Sequence, residues 1–116
     1  MSHESRIENT RTIEQEKWLR ACDSDVSLDV LVTVGSHHGR VMGIQDNRLK
    51  IQIPHDDMRS SLDNDTCRFI ANELNIERVR VQVLAGQNSS KKTIHIQGIS
   101  MQKVWLRLAP HQDKIF

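Results

Sequence analysis

Tyrosine is absent, and the 116 residues hold only Trp18, Phe69, Trp105 and Phe116 as aromatics. A surface that reads single-stranded nucleic acid by stacking bases on aromatic rings is therefore disfavoured from the outset. Cysteine is limited to Cys22 and Cys67, with no CxxC pair, so neither a zinc ribbon nor a disulfide framework is encoded and both thiols are expected to be reduced. No run of about 18 apolar residues exists, and residues 1–9 are polar. A membrane span and a classical secretory leader are not expected, which places the chain in the cytoplasm. Gly-x-Ser-x-Gly is missing too, and no cysteine sits in a reactive context, so nucleophilic catalysis is not expected. What remains is one domain's worth of chain with 37% hydrophobic and 27% charged residues, a soluble globular profile.

The net charge of +1 conceals a partition along the chain. Residues 1–25 carry six acids against four bases, and residues 55–77 carry six acids against two. Residues 78–116 reverse the sign, with Arg78, Arg80, Lys91, Lys92, Lys103, Arg107 and Lys114 against Asp113 alone. Fields of this kind act locally, over roughly a Debye length of about 8 Å.

Spacing predicts a helix over residues 12–22, from good helix formers with apolar Ile13, Trp18, Leu19 and Cys22. Residues 28–34 then alternate as a strand, and two further strands flank Asp46-Asn47 as a hairpin with Leu49, Ile51 and Ile53 inward. Pro54 ends that strand. Leu62, Phe69, Ile70 and Leu74, with Cys67 beside them, form the apolar stripe of a helix. Val79, Val81 and Val83, then Ile94 and Ile96, give two more strands around a turn at residues 86–90, and Ser100 caps a terminal helix carrying Met101, Val104, Trp105 and Leu108. The order defines a two-layer α+β domain with both helices on one sheet face. It divides the chain into an extension over 1–25, a domain over 26–109 and a tail over 110–116.

Between residues 31 and 98 the chain resembles the YggU-like family of small α+β proteins of uncharacterised function. The likeness is carried by Val41-Met42-Gly43, by residues 49–53 with Lys50, by Cys67-Arg68-Phe69-Ile70-Ala71 with Leu74, and by Val81-Gln82-Val83, Gly86, Ser89, Lys92 and Ile94-His95-Ile96. It implies a mixed four-stranded sheet backed by two helices, with Gly43, Lys50, Gly86, Ser89 and Lys92 at family motif positions. Two departures accompany it. Residues 55–63 replace the family's Ala-Pro-Pro-x-x-Gly-x-Ala-Asn stretch, which puts Asp63 in place of asparagine, and Ser90 stands where the Gly-x-x-Ser-Arg-x-Lys motif has arginine.

Three candidate surfaces follow. The sheet face opposite the helices is expected to carry Arg48, Lys50, Arg78, Arg80 and His95 with Gln52, Gln82, Thr93 and Gln97, extended by Ser89, Lys91 and Lys92, as a face for a nucleic acid or another anion. Residues 86–92 combine glycine, hydroxyls and two ammonium groups, the ingredients of a phosphate-holding turn, or simply form a solvated hairpin. His37-His38 with His55, Asp56 and Asp57 supply nitrogen and oxygen donors for metal- or phosphate-dependent hydrolysis, but no fixed ligand spacing supports a metal site. The leading expectation is a monomeric, non-enzymatic binding or adaptor domain without a cofactor. RNA or a protein is its expected partner, and the N-terminal helix, through Ile13 or Trp18, would cover part of the open face.

Overall fold

A computed structural model describes residues 13, 16–35 and 37–110. In chain order its elements are β1 (Leu19–Cys22), β2 (Asp25–Val34), β3 (Arg40–Gln45), β4 (Arg48–Ile53), α1 (Leu62–Leu74), a 3-10 turn at Arg78–Arg80, β5 (Val81–Ala85), β6 (Lys91–Ile96) and α2 (Met101–Leu108).

The alternation in β2 does what a period of two requires. Val26, Leu28, Val30 and Val32 are buried, while Asp25, Ser27, Asp29, Leu31 and Thr33 are half-buried on the other side. One edge of β2 pairs antiparallel with β6 over Val26–Leu31. The opposite edge is shared: β1 pairs antiparallel with the Asp25–Leu28 half, and β4 runs parallel to the Val30–Val34 half. β3 and β5 take the outer positions, giving a mixed six-stranded sheet in the order β3-β4-β2-β6-β5 with β1 beside β2. The four strands implied by the resemblance are thus two too few: β2, which the alternation over residues 28–34 already marked, takes the centre of the sheet, and β1 fills the part of its edge that β4 leaves unpaired.

That vacancy also overturns the expected helix over residues 12–22. Thr12, Glu14 and Gln15 lie outside the described residues, and Leu19–Cys22 is a strand. Four residues pair along the edge of β2 and bury Leu19 there, a tie to the core that a short helix packed on nothing would lack. Asp23 makes the connecting turn with φ 57°, in the left-handed region that aspartate tolerates. The expected hairpin at Asp46-Asn47 is present, both residues having positive φ as a two-residue type I′ turn demands. Both outer strands are interrupted by register shifts, β3 between Val41 and Gly43 and β5 between Val83 and Ala85.

The helices lie together on the apolar side. Ser61 caps α1 by accepting from Asn64 N, Asn75 closes it in a left-handed conformation, and Thr66, Cys67, Ile70, Ala71 and Leu74 are buried. Ser100 caps α2 by accepting from Lys103 N, and Val104 and Leu108 are buried. Both helices agree with the apolar spacing, Phe69 being only partly buried at the margin.

Trp18 is fully buried at the helix layer rather than over the open face. Its Nε1 donates to Glu16 Oε1 at 2.9 Å, and Trp105 Nε1 from α2 donates to Glu16 Oε2 at 3.0 Å. One carboxylate thus ties the approach to β1 to the last helix. Ile13 also packs against the core. Glu16→Ala leaves two indole N–H groups without this acceptor and is expected to destabilise the fold by about 1–3 kcal/mol. Glu16→Gln, which keeps one acceptor oxygen, is expected to lose less. Urea unfolding of the two variants checks both the size and the order.

Candidate functional site

The face of the sheet turned away from α1 and α2 is not covered by any described helix or strand. Its chemistry follows from register. Leu31 of β2 lies between Lys50 of β4 and Lys91 of β6, Thr33 lies beside Gln52, Asp29 beside Thr93, and Ser27 beside His95. The face therefore divides into two halves.

In the half towards the C-terminal end of β2 the bases gather. Arg48 Nη1 donates to the carbonyls of Val30 and Lys92 at 3.2 and 3.1 Å, so its guanidinium lies across the β2 and β6 backbones. Lys50 Nζ reaches Gln45 Oε1 at 3.1 Å, Arg40 Nε reaches Gln52 Oε1 at 3.2 Å, and Lys91 is exposed with no side-chain partner among the described residues. In the other half the acids are consumed internally. Asp29 accepts from Arg20 Nη1 and Nη2 at 2.7 and 3.0 Å and from Thr93 Oγ1 at 3.0 Å; Arg20 is the main reason its carboxyl lies below the usual range. Asp25 accepts from Gly98 N at 2.9 Å and faces His95 Nε2 at 3.1 Å, and the Gly98 N–H is what chiefly lowers it. The expected basic and polar face is thus basic over one half and internally neutralised over the other, because β2 sets two carboxylates along its centre.

Three expected members are elsewhere. Arg78 and Arg80 belong to the 3-10 turn and not to a strand, since Val79 between them is exposed instead of alternating inward. Arg78 Nη1 donates to Val81 O at 2.7 Å and its Nε to Asn64 Oδ1 at 3.2 Å, on the α1 side. Arg80 holds the carbonyls of Gln97 and Gly98 and the Glu77 carboxylate. Lys92 is completely buried on the helix side, where its ammonium meets Asp63 and Gly86 O.

The same contact answers the question of a phosphate-holding turn at residues 86–92. Asp63, in the first turn of α1, accepts from both Lys92 Nζ and the Asn88 backbone N–H, so a carboxylate of the chain itself occupies the position an anion would take. Gly86 permits this geometry: its φ is 81°, and a Cβ there would collide with the Lys91 carbonyl. Ser89 Oγ accepts from Lys91 N at 3.1 Å and shapes the turn. Nothing in the sequence pointed to Asp63 except its place in the first turn of a helix, where acids are favoured for another reason.

The His/Asp loop is likewise reorganised. The His55 ring sits between Asp65, 2.7 Å from Nδ1, and Asp57, which faces Nε2. Asp56 caps its own turn through Met58 N at 3.0 Å. Both ring nitrogens of His55 face carboxylates, which leaves neither available to an ion or a water nucleophile. His37 and His38 are exposed, and no group of three or more His, Cys, Asp or Glu among the described residues is arranged to hold a metal ion. Beside this loop, at the amino end of α1, lies an open cavity of about 750 Å³.

Cys22 is exposed and Cys67 buried, both free, and burial pushes the Cys67 thiol up from its ordinary pKa. No helix among the described residues is long and apolar enough to cross a membrane. No family model matches the chain.

Removing Asp63 strands the Lys92 ammonium, which is wholly buried, whereas removing Lys92 leaves a carboxylate that is 23% exposed and still accepts from Asn88 N. Asp63→Ala is therefore expected to destabilise the protein by about 3 kcal/mol. Lys92→Met is expected to cost less than about 1.5 kcal/mol. Equal losses in chemical denaturation would contradict this account of the pair.

Proposed function

We propose that this chain is a non-catalytic binding domain whose partner lies against the open sheet face, with the basic half as its point of attachment. The observation that carries it is the row Lys50–Leu31–Lys91 across three adjacent strands, backed by Arg48 and flanked by Arg40. Two strand spacings set the Lys50 and Lys91 backbones about 10 Å apart, with an apolar floor between them. No described carboxylate pairs with either lysine, so both charges remain open to an external anion.

Within this proposal RNA is the partner the chemistry favours. A row of cations without aromatic rings engages phosphates and not bases, so the binding is electrostatic and largely blind to sequence. The anion-binding set contracts from the eight residues expected from sequence to Lys50 and Lys91, joined by Arg40, with Arg48 held by the Val30 and Lys92 carbonyls as a backing charge on the same face; Arg78, Arg80, Ser89, Lys92 and His95 serve internal contacts elsewhere. The YggU-like resemblance stands as a proposal beside it, supported by the order of two strands, helix, two strands, helix from β3 to α2. A cytoplasmic setting accords with two free cysteines.

Titration of isotope-labelled protein with a mixed single-stranded RNA pool is expected to shift the amides of Leu31, Lys50, Gln52 and Lys91 at low salt. Log affinity should fall with log salt with a slope of about −2, from three phosphate contacts at about −0.7 each. Lys91→Glu should weaken binding and flatten that slope by about 0.7 or more. Silence at low salt, or shifts centred on Arg78 and Arg80, would remove the RNA proposal and turn the search to protein partners.

A further inference from the structure

The loop of residues 54–61 folds back over the amino end of α1. Its own turn is firm, with Arg59 N and Ser60 N both donating to Asp56 O. Two side chains tie it to the helix: Ser60, whose Oγ accepts from Asn64 Nδ2 at 2.9 Å, and His55, whose side chain is 9% exposed and lies against Asp65, itself 10% exposed, while Asp57 on the other ring edge is 92% exposed. One edge of the imidazole is therefore fixed to α1, and the other holds a carboxylate that stands in solvent. A neutral imidazole carries one N–H and donates to one carboxylate, whereas an imidazolium donates to both. The protonation state of His55 thus sets how many carboxylates the ring retains.

We propose that His55 is a pH-operated latch: Asp65 anchors its ring to α1 in both states, and as imidazolium the ring also holds Asp57 and draws the tip of the loop against the helix, whereas as neutral imidazole it releases Asp57 and lets the loop tip widen the neighbouring cavity. Asp57 and Met58 wall that cavity on the loop side, and Val34, Leu62 and Asn88 wall it opposite. Release of Asp57 therefore moves a residue that lines the cavity. The retained partner is Asp65 because it belongs to the helix and shares its charge with Arg68 at 3.2 Å.

The charges around the ring set the direction. Asp65 and then Asp57 hold the His55 pKa above its ordinary value. Burial pushes Asp65 upward, but His55, Ser60 and Arg68 outweigh it and leave Asp65 below the usual carboxylate range. Asp56 pairs with Arg59 on the same loop at 3.7 Å, and the strand and turn opposite contribute uncharged Val34 and Asn88. A histidine raised on folding contributes stability below about pH 6.5, its unfolded value, and loses it as pH climbs through the raised folded value. The latch is closed on the acid side and open on the alkaline side.

The test is a proton–carbon NMR titration of the histidine rings in the full chain, with His55→Gln to assign the signal, alongside amide exchange corrected for intrinsic rates. The expected result is a His55 midpoint above 6.5, with the amides of residues 56–60 shifting at that same midpoint and their protection falling at least fivefold across it. Asp57→Asn, at an exposed position that leaves the core untouched, should lower the midpoint and make loop protection independent of pH. A His55 midpoint at or below 6.5, loop amides that ignore it, or an Asp57→Asn protein with an unchanged profile would each overturn the latch.

Discussion

Two edges and three partners is the condition that β2 imposes on everything else. Ten residues of strict alternation bury four aliphatic side chains on one face, and a slip of one residue would turn Asp29 into the core and Val30 to solvent. Since β6 fills one edge, β1 and β4 must divide the other, and the helices must lie where Leu28 and Val30 point. The same condition leaves no described element over the polar face: each one able to bury an apolar stripe is already committed to the opposite side.

Much of this was legible. Strict alternation located β2, β4 and β6, Asp46-Asn47 located the first tight hairpin, and the three- and four-residue spacings located both helices with their serine caps. What escaped was context. Trp18, Leu19 and Cys22 have helix-compatible spacing, and nothing local in the sequence announces that a strand edge elsewhere is waiting for them. Val79 alternates with Val81 and Val83 yet sits in a 3-10 turn, because a three-residue pattern cannot distinguish a strand from its approach. Lys92 was readable and was not read: counting by twos from Ile94 and Ile96 puts it inside, but its charge argued for the surface.

The partition of charge along the chain finds its physical meaning in folding. The acidic stretch containing Asp63 meets the basic stretch containing Lys92, and Asp25 and Asp29 near the start meet His95, Thr93 and Arg20. Part of the segmental surplus is thereby spent between strands and helices, so the local cations that remain matter more than the net total. Only contacts distant in sequence separate the two groups, which is why segment sums alone overstated the basic face.

Lys91 and Lys92 are neighbours joined by one peptide bond, yet the pleat sends one ammonium to solvent and the other into the core. For an acylating reagent or a modifying enzyme the first is an ordinary surface amine and the second does not exist while the domain is folded. The two positions also differ in what constrains them: position 91 answers only to what meets the open face, whereas position 92 is bound to position 63 within the fold, so that a change at either calls for an answering change at the other.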